Sequence, residues 1–405
     1  MVKSIFALAF CVASVLAFNT ISVAADYSIT QITDNNGGGQ QISDNGIVVY
    51  VSQNMSSSNR DLFLYNSTTK NTVPLIENDN LDDSDPIMNA VGDIVWKRKI
   101  GPISQLFLYD RSTSPPTITQ ITNSSSEIYS PHINNDRDIV YSTRPSDGSD
   151  SEVFLYVRET GETIRLTDNN EYDGAPKICG NGDVVWTHND GDDEVYLFKR
   201  SSHQLVILSN NDYQDYYVGS GGVNAKGDVA WRATMPGSND EIFLYEGSSN
   251  TVTQFENVPC DDDTPDLNDN GDLVWSMSCP GADREIVFHN GVTKTTTPLT
   301  SNAWDDYLPN INNTRDVVWK GYSAGRPAYE LYVYDSFEKS ITKLTDNNYE
   351  ENNINFNNRS QIVWHAQVGP LGSSEIEVFL ASPTVTPPPD ENAGNANAWM
   401  LLLLD

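Results

Sequence analysis

Short apolar runs organise this sequence, and long amphipathic ones are missing. IVVYV at residues 47–51, DIVW at 93–96, DVVW at 183–186 and EIFLY at 241–245 are nearly continuous in Val, Ile, Leu and aromatic residues. Turn formers such as Gly-Asn-Gly and Asn-Asp-Gly-Asp-Asp separate them. Runs of this kind, rich in β-branched and aromatic side chains, read as strands. No stretch keeps a helical period. A strand apolar on both sides is one covered on both faces.

The runs recur. Aligned on the aromatic that closes each G-D-V-V-W-like run, the copies fall at Tyr50, Trp96, Tyr141, Trp186, Trp231, Trp275, Trp319 and Trp364, in steps of 46, 45, 45, 45, 44, 44 and 45. Each copy holds four runs; in the fourth they are PKIC (176–179), DVVW (183–186), EVYLF (194–198) and LVILS (205–209). Four strands per roughly 45 residues is one blade of a β-propeller. The predicted fold class is therefore all-β, a single propeller of eight four-stranded blades. Second and third runs each number eight, but fourth runs reach eight only if YSITQIT at 27–33 is counted. That run precedes the first blade, so the N-terminal strand is predicted to join the last blade and close the ring, removing an exposed edge. Seven blades with a stray repeat is the alternative.

The ends read differently. Residues 1–25 form a signal peptide: Lys3, the apolar run from Ile5 to Phe18, then small residues at Val23-Ala24-Ala25. Residues 26–382 are the propeller, and 383–405 a Pro-rich linker ending in a short apolar tail. Neither apolar segment is long enough to span a bilayer. The mature chain is thus expected to be exported, to the periplasm, the cell surface or the medium, as a monomer without a transmembrane helix. Losing the leader leaves 23 basic against 56 acidic residues, a net charge of −33. Nucleic acid is excluded as a partner, because phosphate binding needs a cationic footprint.

Candidate chemistry concentrates on one face. Loops from strand two to strand three vary in length, from 8 residues after Trp186 to 11 after Tyr50. Variable loops on a rigid scaffold commonly carry function. The loops from strand four to the next strand one share that face. Thirteen residues before the anchor they hold Asp83, Asp173, Asp262, Asp306 and Glu351, with Tyr217, Trp304 and Tyr349 nearby. Turn building and edge packing explain such residues; a ring of carboxylates and aromatics around the channel mouth is the functional reading. Two acid-dense segments, Asp190, Asp192 and Asp193, and Asp261, Asp262 and Asp263, are where Ca²⁺ would find hard oxygen donors. No cofactor is otherwise required. The sequence contains no G-x-S-x-G, H-E-x-x-H, P-loop or G-x-G-x-x-G motif.

One metal-like stretch dissolves on inspection. Asp266-Leu-Asn268-Asp-Asn270-Gly271 matches the start of an EF-hand loop, yet its twelfth position is Met277 where a bidentate Glu is needed. Other copies keep only Gly-Asp, as a turn between strands one and two requires. With that turn centred between Asp269 and Asn270, facing residues sum to 539, as Cys260 and Cys279 do. A disulfide across the first two strands of this blade is predicted.

The unit L-T-D-N-N-x-Y-D-x-x-P (166–176), continued by G-D-V-V-W (182–186) and E-I-F-L-Y (241–245), resembles the TolB-like, WD-repeat-like propellers of exported bacterial proteins. The resemblance spans about residues 27–380 and implies an exported propeller. Members include an envelope scaffold, peptidase propellers and an oligogalacturonate lyase; this sequence lacks the extra domains of the first two and the histidine cluster of the third. The expectation is a non-catalytic platform binding a protein or carbohydrate partner through its acidic, aromatic loops. A metal-assisted polysaccharide lyase or hydrolase is the alternative, and no motif makes the chain an enzyme.

Overall fold

Eight four-stranded antiparallel sheets follow one another around a ring, as the repeat predicts, in this computed structural model. It describes residues 22–384 apart from 24–25, 35, 54–58, 77–79, 146–149, 213, 217–221, 236–238, 256–258, 323–327 and 369–374. Blade four is representative: Tyr172–Ile178, Val184–Asn189, Asp193–Lys199 and Gln204–Ile207, paired in that order from the inside out. Blade eight is Glu350–Phe356, Ile362–Gln367 and Ile376–Pro383, and its outer strand is the N-terminal Tyr27–Gln31. The one-plus-three closure is as predicted. Ser22–Val23, inside the expected leader, pairs in parallel with the outer strand of blade seven. The rest of that leader, and residues 385–405 of the tail, lie outside the described residues. Among the described residues there is no helix, hence none long and apolar enough to cross a membrane.

The anchors are the core. Six tryptophans are at most 1 % exposed, and Tyr50 and Tyr141 are also buried. Seven of the eight face an aromatic on strand three, such as Trp231 against Phe243 with ring centroids 5.4 Å apart. These pairs stack across strands and fill the space between blades. Apolar clusters drawn from adjacent blades, such as Val185, Leu197, Val229 and Trp231, make each interface a small core of its own.

One device was not foreseen. The inner strand bulges opposite the anchor in seven blades, two residues facing one. The first bulge residue takes a left-handed φ near 50°, as at Ala175, Thr264 and Leu308, or Gly39 at 59°. A Pro follows in five of the seven. The bulge makes room for a large indole where strands are most crowded.

It also corrects the route to the disulfide. Beside the turn, Asp266 pairs with Val274 and Leu267 with Leu273, so the hairpin centres on Asn270. The bulge at 264–265 then shifts the register by one, and Asp261 pairs with Ser278. Cys260 and Cys279 meet with Cα atoms 4.1 Å apart and are bonded, 19 residues apart in sequence. Closing a loop of that length stabilises the fold by roughly 2–3 kcal/mol. Replacing both by Ser is expected to lower the urea midpoint accordingly; an unchanged midpoint would contradict it.

The first turns explain Gly-Asp. Asp272 accepts from Asn268 Nδ2 at 3.0 Å, from the Gly291 amide at 2.9 Å and from Arg315 Nε at 2.8 Å. It ties the turn between strands one and two to the turn between strands three and four, and to the next blade. Asp93 and Asp228 make the equivalent bonds to both turns of their own blades. The turn asparagines also link blade to blade: Asn89 donates to the Asn134 carbonyl, Asn224 to Asn268, Asn268 to Asn312, Asn312 to Asn357, and Asn357 to Ser43 across the closure. Asn134 to the Cys179 carbonyl, Gly180 to Asn224 and Asp44 to Ala90 complete the circle. The stretch that resembled a calcium loop is one link in this hydrogen-bonded ring.

Candidate functional site

Strand alternation decides where the expected acids go. Asp83, Asp173, Asp262, Asp306 and Glu351 lie in the inner strands, not in the loops, and all are buried. Trp96, Trp186 and Trp319 donate their indole N–H to Asp83, Asp173 and Asp306 at 3.0, 2.7 and 2.9 Å. Asp262 and Glu351 stand near Trp275 and Trp364, close enough for the indoles to lower their carboxyl pKa, but those two indole N–H groups make no hydrogen bond of normal geometry among the described residues. The expected rim of carboxylates is thus corrected to a buried set beside the anchor indoles, three of which accept the indole N–H. A buried N–H needs an acceptor, and that need sets the spacing of thirteen.

Blade five has the same arrangement with a three-residue offset. Trp231 donates to Asp215 at 2.9 Å, sixteen residues earlier, which the fixed spacing missed. One signal was available: blades anchored by Tyr50 and Tyr141 have Gly37 and Ile128 at the position of the acid. The carboxylate tracks the tryptophan.

Several of these acids meet another carboxylate across the blade interface. Burial pushes Asp262 up to about 8, with Glu241 of blade five adding to the rise. Burial likewise raises Glu351 to about 7, Asp306 to about 6 and Asp215 to about 6, with Glu330, Asp305 and Glu194 respectively adding repulsion. Glu285, next to Asp306, is raised to about 7 mainly by burial. At neutral pH part of this set holds protons.

The remaining expectations divide. Trp304 is half-buried in a turn held by Asn302, whose Oδ1 accepts its amide at 2.9 Å. Tyr349 packs on the cluster around Trp364. Tyr217 lies outside the described residues. Asp261, Asp262 and Asp263 are split by alternation: Asp262 points into the interface, while Asp263 pairs with Arg232 at 2.8 Å. Asp190 is exposed, and Asp193 accepts from Asn189 at 2.6 Å. Among the described residues no group of three or more His, Cys, Asp or Glu is placed to hold a metal ion, so neither acid-dense segment, Asp190, Asp192 and Asp193 or Asp261 to Asp263, forms the cluster expected of it.

What the structure does gather at the mouth was not anticipated. Tyr307, Tyr322 and Tyr329 form a contiguous group, Tyr329 lying 5.6 Å from Tyr307 edge-on and 5.3 Å from Tyr322. Arg284 lies 5.3 Å over the Tyr307 ring, and Lys320 Nζ 4.8 Å over Tyr329. Lys320 donates to Asn352 Oδ1 of blade eight at 3.1 Å, and burial lowers its pKa. Arg284 donates through Nη1 to Ser276 at 3.1 Å and through its amide to Asp305 at 2.8 Å. Blade seven thus carries the three rings, with Arg284 of blade six and Asn352 of blade eight among the fixed hydrogen-bonding groups around them. The residue after the anchor carries part of this signal in four of the eight copies, where Lys97, Arg232, Lys320 and His365 stand, in a chain poor in basic residues.

Deeper in, the residue nine before each anchor faces the ring axis by alternation. His132 Nδ1 accepts the Ile178 amide at 3.3 Å, and Asp266 Oδ2 the Ile311 amide at 2.7 Å. Lys177 sits at this level, lowered to about 8 by burial, with Asp266 opposing the shift.

No family model matches this sequence, and no curated protein matches it. Solved structures do match in fold. Dipeptidyl peptidase 4 from Porphyromonas gingivalis aligns with a TM-score of 0.58 and 11% identity, over 83% of this chain and 56% of that one. The β-propeller domain of the Trilobed protease from Pyrococcus furiosus gives 0.51 and 13%, over 81% and 98%. Oligogalacturonate lyase from Vibrio parahaemolyticus gives 0.51 and 12%, over 90% and 96%. TolB from Acinetobacter baumannii also matches, at a TM-score of 0.37 and 14% identity over 89% and 80%. At these identities the likeness is one of fold. It nevertheless corrects the expectation of a non-catalytic platform: propellers of this kind include those of a protease, a peptidase and a lyase, so the architecture gives no ground for excluding catalysis.

Proposed function

We propose that the chain is an exported, glycan-acting propeller that takes an uncharged polysaccharide on the tyrosine cluster at its channel mouth. The observation that carries this reading is the grouping of Tyr307, Tyr322 and Tyr329 with Arg284, Lys320 and Asn352 around them. Sugar rings present C–H faces that pack on aromatic rings, and hydroxyls that suit fixed donors and acceptors. Charge argues for a neutral glycan. The cations here stand among Asp262, Asp305 and Glu350, and a chain at −32 repels polyanions. The leader-like N-terminus and the disulfide support export.

The test is titration of the full chain with neutral oligosaccharides. Saturable binding is expected, with Tyr329→Ala weakening it about tenfold, or about 1.4 kcal/mol. Absence of binding across gluco-, xylo- and manno-oligosaccharides, or a Tyr329→Ala protein that binds as tightly as the parent, would overturn the reading.

A further inference from the structure

The face away from the mouth carries the first and third turns of every blade, and over blades two to four it concentrates arginine. Arg111, Arg158 and Arg200 open the third turns there, where blades five to seven have Gly247, Gly291 and Ser336. Arg137 occupies a first-turn position with φ 70° that is Gly46, Gly92, Gly182, Gly227 and Gly271 in five other blades. Its role is visible, because its Nε reaches Asp93 and Asp110, each at 3.0 Å, as Arg315 reaches Asp272 on the far side of the ring. Arg200 has no such role. Its amide donates to Asp183, but its guanidinium makes no hydrogen bond or ion pair among the described residues.

Arg137, Arg158 and Arg200 open onto a cavity of about 610 Å³ between blades two, three and four. Asp110 in its floor is saturated: Ser112 donates to it through its amide and hydroxyl, Arg158 through Nε and Nη2, and Arg137 also pairs with it. Burial alone would raise this carboxylate, but the Ser112 bonds and both arginines outweigh it and bring it to about 2. Asp138 accepts the Arg158 amide at 2.8 Å. The lining as a whole sets three guanidinium groups against four carboxylates, with Asp136 and Glu159 exposed, and Arg200 stands close enough to Asp138 to favour its ionised form. The Arg200 stem lies across Gly182, where a Cβ would stand 3.2 Å from its Cγ.

We propose that this cavity binds a small organic acid through its carboxylate, with Arg200 as the principal recognition residue and Arg158 beside it. An arginine fork matches a carboxylate with two parallel hydrogen bonds, and Arg200 has its whole fork free. The volume suits a molecule the size of a sugar acid, larger than a bare ion.

Calorimetric titration of the full chain tests this, with glucuronate and N-acetylglycine as two carboxylate sources and glucose as the uncharged control. Saturable binding of glucuronate is expected, with none of glucose, and binding at least tenfold weaker in Arg200→Ala. N-acetylglycine binding equally well would support recognition of the carboxylate alone; its failing beside a bound glucuronate would support recognition of the sugar acid. An unchanged melting temperature in Arg200→Ala separates lost binding from lost fold. No saturable heat with either acid, or an Arg200→Ala protein that binds glucuronate like the parent, would overturn the proposal. The tyrosine cluster is on the other face, so neutral-glycan binding there is expected to survive this substitution.

Discussion

Asp272→Ala is expected to destabilise the propeller by about 3–4 kcal/mol, read as a lower urea midpoint with an unchanged slope. The residue is completely buried and its carboxylate serves three donors on three segments. Removing it leaves the Gly291 amide without its acceptor, takes one partner from Asn268 and strands the Arg315 guanidinium. An orphaned buried donor costs about 1–3 kcal/mol, and a charged one more. Asn268 keeps the Asn312 carbonyl, and Arg315 is partly exposed and can reach water, so the loss stays below the sum of the parts. Asp272→Asn keeps the shape and acceptor oxygen but drops the charge pair, and should cost about half as much. A loss under about 1 kcal/mol for Asp272→Ala would mean that the Gly-Asp turns do not brace the ring.

That turn marks the boundary between what sequence order revealed and what it hid. Strand number, blade number and closure were legible because each depends on a local pattern repeated eight times: an apolar run, a turn, a fixed step between anchors. The disulfide was legible through register, although the true register reaches it by a turn centred on Asn270 and a bulge opposite Trp275. The acids before the anchors were visible as a motif, yet their role depends on the direction of an inner-strand side chain. One step along the strand separates the channel from the interior. The tyrosine cluster was hidden for another reason. Tyr307, Tyr322 and Tyr329 come from three strands' ends, and their cations from blades six and seven, so no linear spacing joins them. The arginine cavity is hidden likewise, since Asp110, Arg137, Arg158 and Arg200 belong to three blades.

Acidification from pH 8 towards 6.5 is expected to stabilise this protein, by about 1–2 kcal/mol per pH unit near neutrality. The groups responsible are Asp262, raised to about 8, Glu285 and Glu351, raised to about 7, and Asp215, Asp266 and Asp306, raised to about 6, in each case mainly by burial. A carboxyl raised in the fold binds its proton more tightly folded than unfolded. Its contribution is fully present below the unfolded value near 4 and is lost as pH rises through the folded value. Near pH 7 the folded chain therefore holds roughly two protons that the unfolded chain has released. Glu285 is only half-buried and its share is discounted for solvent screening. Histidines oppose the effect lower down: burial depresses His132, His289 and His365, so the unfolded state gains protons there first as pH falls through about 6.5. Lys177, lowered to about 8, acts mainly above pH 8. Stability should thus rise as pH falls from 8, then level off near 6. Thermal melts across that range at fixed ionic strength provide the measurement. Asp262→Asn tests the cause, because a neutral amide of the same shape removes the repulsion with Glu241. That variant should match or exceed the parent at pH 8 and lose part of the slope. A melting temperature that falls steadily from pH 8 to 6 would show that the carboxylates between blades are not protonated in the fold.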